Sequence, residues 1–283
     1  GFGAIAALIN ASSSDALVTN SGQISGAAVG IGIDHSGTGE TFVSNTSAGT
    51  ITGGQTGLFV RNARGPVQID NAGTINRTDT GTGGFFNAGI YIIDQSPQAT
   101  GTQVIINNSG TISGGGSNAI TAIQNANGTL EINNSGTIIG NILRSSAGLG
   151  ALIANSGTIN GDVVLSFGED TIIMRGADAA INGGLDGGFD NDTLRFVDVD
   201  DLLFTANQQT FRFENIFLDS GSLRLNSAMF ETFGTEGAGV FTTQAGSTLT
   251  LTGGQSSILF ADGGVTTING LLVVDRLARL SLT

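Results

Sequence analysis

The chain has 283 residues, with 46 glycines, 2 prolines, no cysteine and a formal net charge of −13. So acidic a surface would repel the phosphates of nucleic acids and of anionic membranes, so we expect neither as a partner. The absence of cysteine excludes disulfides, and no apolar run approaches the roughly 18–20 residues that a membrane-spanning helix needs.

A five-residue pattern, Asn-Ser-Gly-Thr-Ile, recurs through the first half of the sequence. Each copy follows a short alternation of apolar and polar residues, as at 130–132. The unit is interpreted as strand, tight corner and strand, because Asn and Gly tolerate the positive φ of a sharp corner while Thr and Ile favour strands. The copies begin at Asn20, Asn71, Asn108, Asn134 and Asn155, and a blurred copy begins at 47.

Self-similarity at this spacing predicts a solenoid in which each copy turns one corner. Ile is expected to point into the core and Thr out to solvent, because successive strand residues face opposite sides. The corner asparagines would then stack and hydrogen-bond along the axis, which is a structural role. Two inserts rich in Gly, Thr and Ser, at 30–40 and 77–86, are predicted to be projecting loops.

Beyond about residue 160 the repeat becomes regular, with a step of 22 residues. Asp170 recurs as Asp192 and then as Glu214. If each coil rises by one strand spacing of about 4.8 Å, these three carboxyl groups stack on one edge. Such close carboxylates repel one another unless a cation or a proton intervenes.

The last part of the chain replaces the corner pattern with simple alternation. Eleven of the sixteen phenylalanines follow residue 160, which predicts a bulkier core there. The final stretch, 271–280, fits a strand or a short helix, and we favour a strand. The predicted fold is therefore all-β, a parallel β-helix of about thirteen coils with about 20–22 residues each. It would comprise repeat-rich coils with loop inserts (1–160), regular coils with an acidic edge (161–225) and C-terminal coils of the same solenoid (226–283).

Together these features resemble the passenger domains of bacterial autotransporters, the type V secreted proteins. The resemblance rests on the Asn-Ser-Gly-Thr-Ile units, on 161–163 leading into 168–171, and on 187–194, and it covers most of 15–225. It implies a right-handed parallel β-helix, export through the outer membrane and roles in adhesion. The family's C-terminal translocator barrel has no counterpart in this sequence. The chain would thus be a released or truncated passenger, or a free-standing relative.

The stretch 187–194 also resembles the calcium-binding RTX nonapeptide, Gly-Gly-x-Gly-x-Asp-x-apolar-x. Asp190 replaces the third glycine, and the next related turn is 22 residues away rather than nine, so an RTX roll is not expected. The column Asp170, Asp192 and Glu214 still suggests a possible Ca²⁺ site. We favour the alternative, in which each carboxylate sits on a solvated turn, and we expect no other cofactor.

Catalysis is a further possibility, because parallel β-helices host polysaccharide-acting enzymes that use carboxylate pairs. Asp198, Asp200 and Asp201 form the obvious cluster, and Asp198 and Asp200 would alternate onto one strand face. Acids are common on turns in so acidic a chain, however, and no Trp and only Tyr91 could form a sugar platform. His35 is expected to be a surface loop residue. We therefore do not expect an enzyme.

The sequence as a whole predicts an extracellular structural or adhesive passenger at the bacterial cell surface. Its loops, around 30–40 and 77–100, would meet a protein or glycan of a host or neighbouring cell. One alternative is a self-assembling surface filament whose subunits stack end to end, because the open ends of a β-helix carry unpaired backbone groups. A second alternative is a polysaccharide-acting enzyme on the same scaffold.

Overall fold

The computed structural model describes residues 5–12, 14–61, 64–80, 87–93, 103–123, 128–145, 149–231, 239–259 and 264–282. These residues form a parallel β-solenoid of about 10 turns without any helix, which confirms the predicted fold class. The turns are fewer than the thirteen expected because insertions lengthen several coils. No helix long and apolar enough to cross a bilayer occurs in the described ranges. The chain divides into two compact units, 1–150 and 151–283.

The first unit is built from short strands that pair in parallel. The strands are β1 (Ile5–Ala11), β2 (Ala16–Asn20), β3 (Gln23–Gly26), β4 (Val29–His35), β5 (Thr41–Asn45), β6 (Thr50–Gly53), β7 (Thr56–Arg61), β8 (Val67–Asn71), β9 (Thr74–Arg77), β10 (Ala88–Ile93), β11 (Gln103–Asn108), β12 (Thr111–Ile123), β13 (Thr129–Asn134) and β14 (Thr137–Arg144). They stack in three columns: β1–β4–β7–β10–β12, β2–β5–β8–β11–β13 and β3–β6–β9–β12–β14. The long β12 belongs to two columns because its register shifts between Ser113 and Asn118.

The core of the first unit is a set of stacked aliphatic side chains. On the middle column Val43, Ile69, Ile106 and Ile132 are completely buried and lie in register on successive coils. The corner isoleucines that follow Asn71, Asn108, Asn134 and Asn155, such as Ile112, are buried as well, Ile24 is partly buried, and Thr111 before Ile112 is partly exposed. The prediction that Ile points inward and Thr outward is therefore confirmed, and this packing gives each coil its hydrophobic stabilisation.

The segment 30–40, predicted to be a projecting loop, is largely a buried strand. β4 runs from Val29 to His35, pairs with both β1 and β7, and buries Ile31 and Ile33. The loop prediction was wrong for 30–35 because the glycines between the apolar residues looked like loop composition, although they lie at alternate strand positions. Only 36–40 links two strands. Of the other predicted loop region, 77–100, β9 ends at Arg77 and β10 occupies 88–93, while 81–86 and 94–100 lie outside the described residues.

The second unit repeats the parallel stacking. Its strands are β15 (Gly150–Asn155), β16 (Thr158–Asn160), β17 (Val163–Val164), β18 (Thr171–Arg175), β19 (Ala180–Ile181), β20 (Leu185–Asp186), β21 (Thr193–Val197), β22 (Val199–Thr205), β23 (Thr210–Phe211), β24 (Asn215–Leu218), β25 (Gly221–Asn226), β26 (Met229–Glu231), β27 (Val240–Thr243), β28 (Thr248–Thr252), β29 (Gln255–Leu259), β30 (Val265–Ile268), β31 (Leu271–Val274) and β32 (Arg279–Leu282). One column is β15–β18–β21–β24–β27–β30 and another is β22–β25–β28–β31. The remaining strands form the third face. Thr171, Thr193 and Asn215 pair in sequence, as the 22-residue step predicts.

Phenylalanine fills the core of the second unit, as its uneven distribution predicts. Phe196 meets Phe204 edge to face with ring centroids 5.5 Å apart, and Phe230 packs against both. These rings and Phe241 are completely buried. Aromatic pairs in such geometries stabilise by about 0.5–1.5 kcal/mol beyond their buried area. The final stretch forms strands β31 and β32, so the preference for strand over helix is confirmed.

The corner glycines serve a different purpose from the one inferred from sequence. Among the described residues, neither the corner asparagines nor the glycines that follow them have positive φ. Space is the reason for Gly instead, because the backbone of the preceding coil lies where a side chain would begin. A Cβ on Gly110 would sit 2.1 Å from the carbonyl oxygen of Gly73. Gly22, in the first coil, has nothing within 4 Å of the same point.

Replacing a corner glycine should therefore cost stability only where another coil precedes it. We expect Gly110→Ala to lower the free energy of unfolding by about 2–3 kcal/mol, because backbone atoms must move to admit the methyl group. The control, Gly22→Ala, should be neutral or slightly stabilising, since its φ suits alanine and the unfolded chain loses freedom. Denaturant melts of both variants test this. Equal effects would show that conformation, rather than close stacking, selects the glycine.

Candidate functional site

The corner asparagines of the first unit form a continuous buried ladder. Each side-chain amide nitrogen from Asn20 to Asn108 donates to the amide oxygen of the asparagine on the next coil, at 2.7–2.9 Å. The ladder runs through Asn20, Asn45, Asn71, Asn108 and Asn134, and all five are at most 5% exposed. The same nitrogens also donate to carbonyl groups of the corner, as Asn71 does to Gly73 and Thr111. The ladder therefore satisfies the corner's buried polar groups, each bond contributing about 1 kcal/mol.

Asn45 is a member of this ladder that the corner pattern did not reveal. The blurred copy begins at 47, whereas the asparagine in register is two residues earlier and is paired with Asn20 and Asn71. This corner has two extra residues between Asn45 and Gly49, and the carbonyl of Gly49 still accepts from Asn45 at 3.2 Å. The alternation of residues at 41–45 could have identified Asn45 from sequence, because it matches the stretches that precede the other corner asparagines.

Asn155, in the second unit, binds the backbone of its own corner and the next. Its amide nitrogen donates to Gly157 and Ala180 at 3.0 and 3.1 Å and contacts the sulfur of Met174 at 3.8 Å. Met174 occupies the ladder position on the following coil, and Phe196 and Leu218 continue that column. The second unit thus replaces the amide ladder with apolar side chains.

The carboxylates Asp170, Asp192 and Glu214 form a second buried column in the second unit. Asp192 Oδ1 accepts the backbone N–H of Asp170 at 2.8 Å, and Glu214 Oε2 accepts that of Asp192 at 2.7 Å. Asp170 Oδ1 accepts the N–H of Ala151 in the same way. The three residues are 0%, 0% and 3% exposed. They stack as predicted, but they are buried inside the corner, so the favoured solvated-turn interpretation is wrong.

Burial raises the pKa of two carboxyl groups of this acidic column, those of Asp192 and Glu214. It raises the pKa of Asp192 to about 8, against the lowering effect of the hydrogen bond from Asp170, and the neighbouring carboxylates add to the rise. Burial also raises the pKa of Glu214. Within the described residues, Asp192 Oδ2 and Glu214 Oε1 are buried without a hydrogen-bond partner. A proton on Asp192 at neutral pH relieves the repulsion that led us to consider calcium.

Calcium binding at these carboxylates stays a prediction. No group of three or more His, Asp or Glu side chains in the described part of the chain is arranged to hold a metal ion. One oxygen of each carboxylate is already bound to a backbone N–H, which leaves fewer oxygens than the six to eight that calcium takes.

The candidate catalytic cluster lies on the surface. Asp198 sits at a bend with φ of 53° before β22, and its carboxylate accepts from the hydroxyl of Ser220 at 2.7 Å. Asp201 is paired with Arg224. Asp200 is exposed, and its carboxylate makes no hydrogen bond to the residues that the structure describes. Because Asp198 lies outside the strand, strict alternation does not bring it and Asp200 together as a pair.

His35 is completely buried, contrary to the surface position expected from sequence. It ends β4, and its Nδ1 lies 2.8 Å from the hydroxyl oxygen of Thr41 at the start of β5. Both residues are fully buried, so the contact fastens one strand to the next within the coil. The expectation failed because 30–35 was assigned to a loop.

Comparison with protein-family models, with curated proteins and with solved structures gives no match. The functional argument therefore rests on the solenoid and on the contacts of its repeated side chains.

The raised pKa of Asp192 predicts a characteristic dependence of stability on pH. The folded-state pKa of Asp192, about 8, lies above its unfolded value of 3.8, so the folded protein binds the proton more tightly. Its contribution to the free energy of unfolding is complete below about pH 4 and is lost as the pH rises to about 8. Asp192→Asn keeps a neutral side chain and an acceptor for the N–H of Asp170. We expect its melting temperature to fall less than that of the parent over this range.

Asp178→Asn is the matched control for this titration, because it removes an exposed carboxylate from the same unit. It should follow the parent curve. Parallel curves for the parent and Asp192→Asn would mean that Asp192 is ionised in the folded protein. Repeating the melts with calcium and with a chelator tests the metal prediction, since only bound calcium would raise the melting temperature.

Proposed function

We propose that this chain is a structural and adhesive passenger that bacteria display at the cell exterior. The observation that carries the proposal is that the buried polar side chains hydrogen-bond to neighbouring strands and coils. The asparagine ladder, His35 and the carboxyl column all bind groups of neighbouring strands or coils. Side chains that elsewhere perform chemistry are here committed to holding the coils together, which is what a display scaffold requires.

The acidic surface and the repeat pattern support the same function. Among the residues that the structure describes, four arginines pair with acids on neighbouring coils: Arg61 with Asp34, Arg195 with Asp219, Arg212 with Asp186 and Arg224 with Asp201. With 23 acids against ten basic residues, the outer face stays negative and soluble. The resemblance to autotransporter passengers supports export through the outer membrane and a right-handed winding of the coils. A protein or glycan of a host or neighbouring cell is the proposed partner.

Exposure on intact cells tests the display function directly. In bacteria that produce the chain, an antibody raised against it should label unbroken cells, and added protease should remove that label. A cytoplasmic protein, followed in parallel, should be untouched until the cells are lysed. Labelling that appears only after lysis would refute display at the exterior.

A second candidate function is assembly into a filament, and the exposed apolar side chains of β31 are the observation that favours it. Leu272 and Val274 pair with Leu249 and Leu251, which are completely buried, yet they are 39% and 52% exposed. Leu277 is 82% exposed. Exposed apolar side chains at inward-facing positions can pack against another coil, and in the filament a second copy of the chain would supply that coil.

A pair of neighbouring substitutions tests assembly through this face. Val274→Glu places a charge at an inward position, whereas Val273→Glu places it at an outward position that pairs with Thr250. We expect the parent and Val273→Glu to form long assemblies in electron micrographs and in sedimentation, and Val274→Glu to remain monomeric. A parent chain that stays monomeric at every concentration would contradict the filament.

A further inference from the structure

Two adjoining depressions open on the surface of the second unit, and both lie within that unit. The first has a volume of about 260 Å³ and the second about 440 Å³. Residues of the first include Asp162, Val164, Asp186, Gln209 and Phe211. Residues of the second include Ala180, Asn182, Leu202 and Leu203. Asn207 lines both, and the combined volume lies in the range of about 300–1,000 Å³ typical of small-ligand sites.

Residues 207–209 line the two depressions and form the ridge between them. The side chain of Gln208 holds this ridge in place. Its Oε1 accepts from the backbone N–H and the hydroxyl of Thr205, at 2.9 and 2.7 Å. Its Nε2 donates to the carbonyl groups of Ile181 and Leu203, at 2.9 and 3.3 Å. One amide therefore fastens the ridge to both β19 and β22. Asn207, beside it, is exposed and stands on a fixed backbone, which lowers the entropy cost of binding.

The polar groups of the depressions suit an uncharged ligand. Neither depression is lined by Arg or Lys among the described residues. The nearby guanidinium of Arg212 is occupied by Asp186, with its Nε 2.6 Å from Asp186 Oδ1. The chain's charge of −13 would repel an anion. What remains is a set of side-chain amides, which both donate and accept hydrogen bonds, together with the carboxylate acceptors.

Apolar surface accompanies these polar groups. Val164 and Phe211 belong to the first depression, and Leu203, which is 39% exposed, belongs to the second. Beyond Asp186, Arg212 lies over the ring of Phe189, 5.6 Å from its centroid. Phe189 stacks on Phe167 at 4.8 Å, and both rings are more than 40% exposed. This aromatic column was missed from sequence because only Trp and Tyr were considered as sugar platforms.

We propose that the two depressions, with Asn207 at their shared ridge, bind a neutral oligosaccharide. A sugar chain presents hydroxyl groups that donate and accept, together with C–H faces that pack on apolar side chains, and one unit would occupy each depression. The proposal names a ligand class for the adhesive function and rests on that function for access to glycans outside the cell. It locates recognition on the coils at 162–211 instead of the loops predicted from sequence.

Binding of the purified full chain to immobilised sugars tests the proposal. The probes are short neutral gluco-, manno-, galacto- and N-acetylhexosamine oligosaccharides, with uronate-containing and sialylated oligosaccharides as anionic comparisons. We expect one neutral class to bind. Asn207→Ala should weaken that binding by about tenfold or more, the equivalent of one lost hydrogen-bonding amide. Leu203→Asn should weaken it as well, through loss of apolar contact.

Asn269→Ala is the matched control, because it removes an exposed asparagine of the same unit that lines neither depression. It should bind like the parent, and circular dichroism melts should show that all three variants fold. The proposal is overturned if no neutral oligosaccharide binds, if only anionic ones bind, or if Asn207→Ala and Leu203→Asn leave binding unchanged. Labelling of intact cells does not depend on sugar binding. The two experiments therefore distinguish failure of the proposed sugar site from failure of the display function.

Discussion

The constraint on which the whole structure depends is that every coil lies one strand spacing, about 4.8 Å, from the next. At that distance each side chain touches the side chain at the same position of its neighbour. A residue type can therefore repeat along a column only if it is compatible with a copy of itself. Asparagine meets this condition because its amide carries both a donor and an acceptor. The amide nitrogen of Asn71, for example, donates to the amide oxygen of Asn108. Isoleucine meets it by packing, and glycine by leaving room for the next backbone.

Carboxylates do not meet this condition on their own, and the second unit shows how the conflict is handled. Asp170, Asp192 and Glu214 each accept a hydrogen bond from a backbone N–H of the preceding coil. The remaining repulsion is relieved because burial raises the pKa of Asp192 to about 8 and so keeps its carboxyl group protonated at neutral pH. In the same unit Met174 and Phe196 replace the amides of the corner column. The two units thus satisfy the same spacing with different chemistry.

Much of this architecture could be predicted from sequence, because the close spacing of the coils requires compatible residues at equivalent positions and so produces a sequence repeat. The parallel coils, the 22-residue register and the asparagine ladder all follow from residues that recur at equivalent positions. The predictions that failed were those that rested on the residue type at one position and not on a repeated pattern. Gly30 and its neighbours looked like loop residues, although they lie in a strand. Asp192 looked solvated because acids usually are, and only the fold shows that its corner closes over it. The depressions around Asn207 left no trace in the repeat, since they arise from an irregular ridge.

The direction of the asparagine ladder has a consequence for the history of the chain. Each amide nitrogen from Asn20 to Asn108 donates to the amide oxygen of the asparagine on the next coil, so each joint of the ladder is chemically the same. Loss or duplication of a whole coil would join two asparagines that already fit one another. The ladder therefore places no chemical limit on the number of coils in the first unit. The carboxyl column lacks this freedom, because each added acid would bring another buried charge to neutralise.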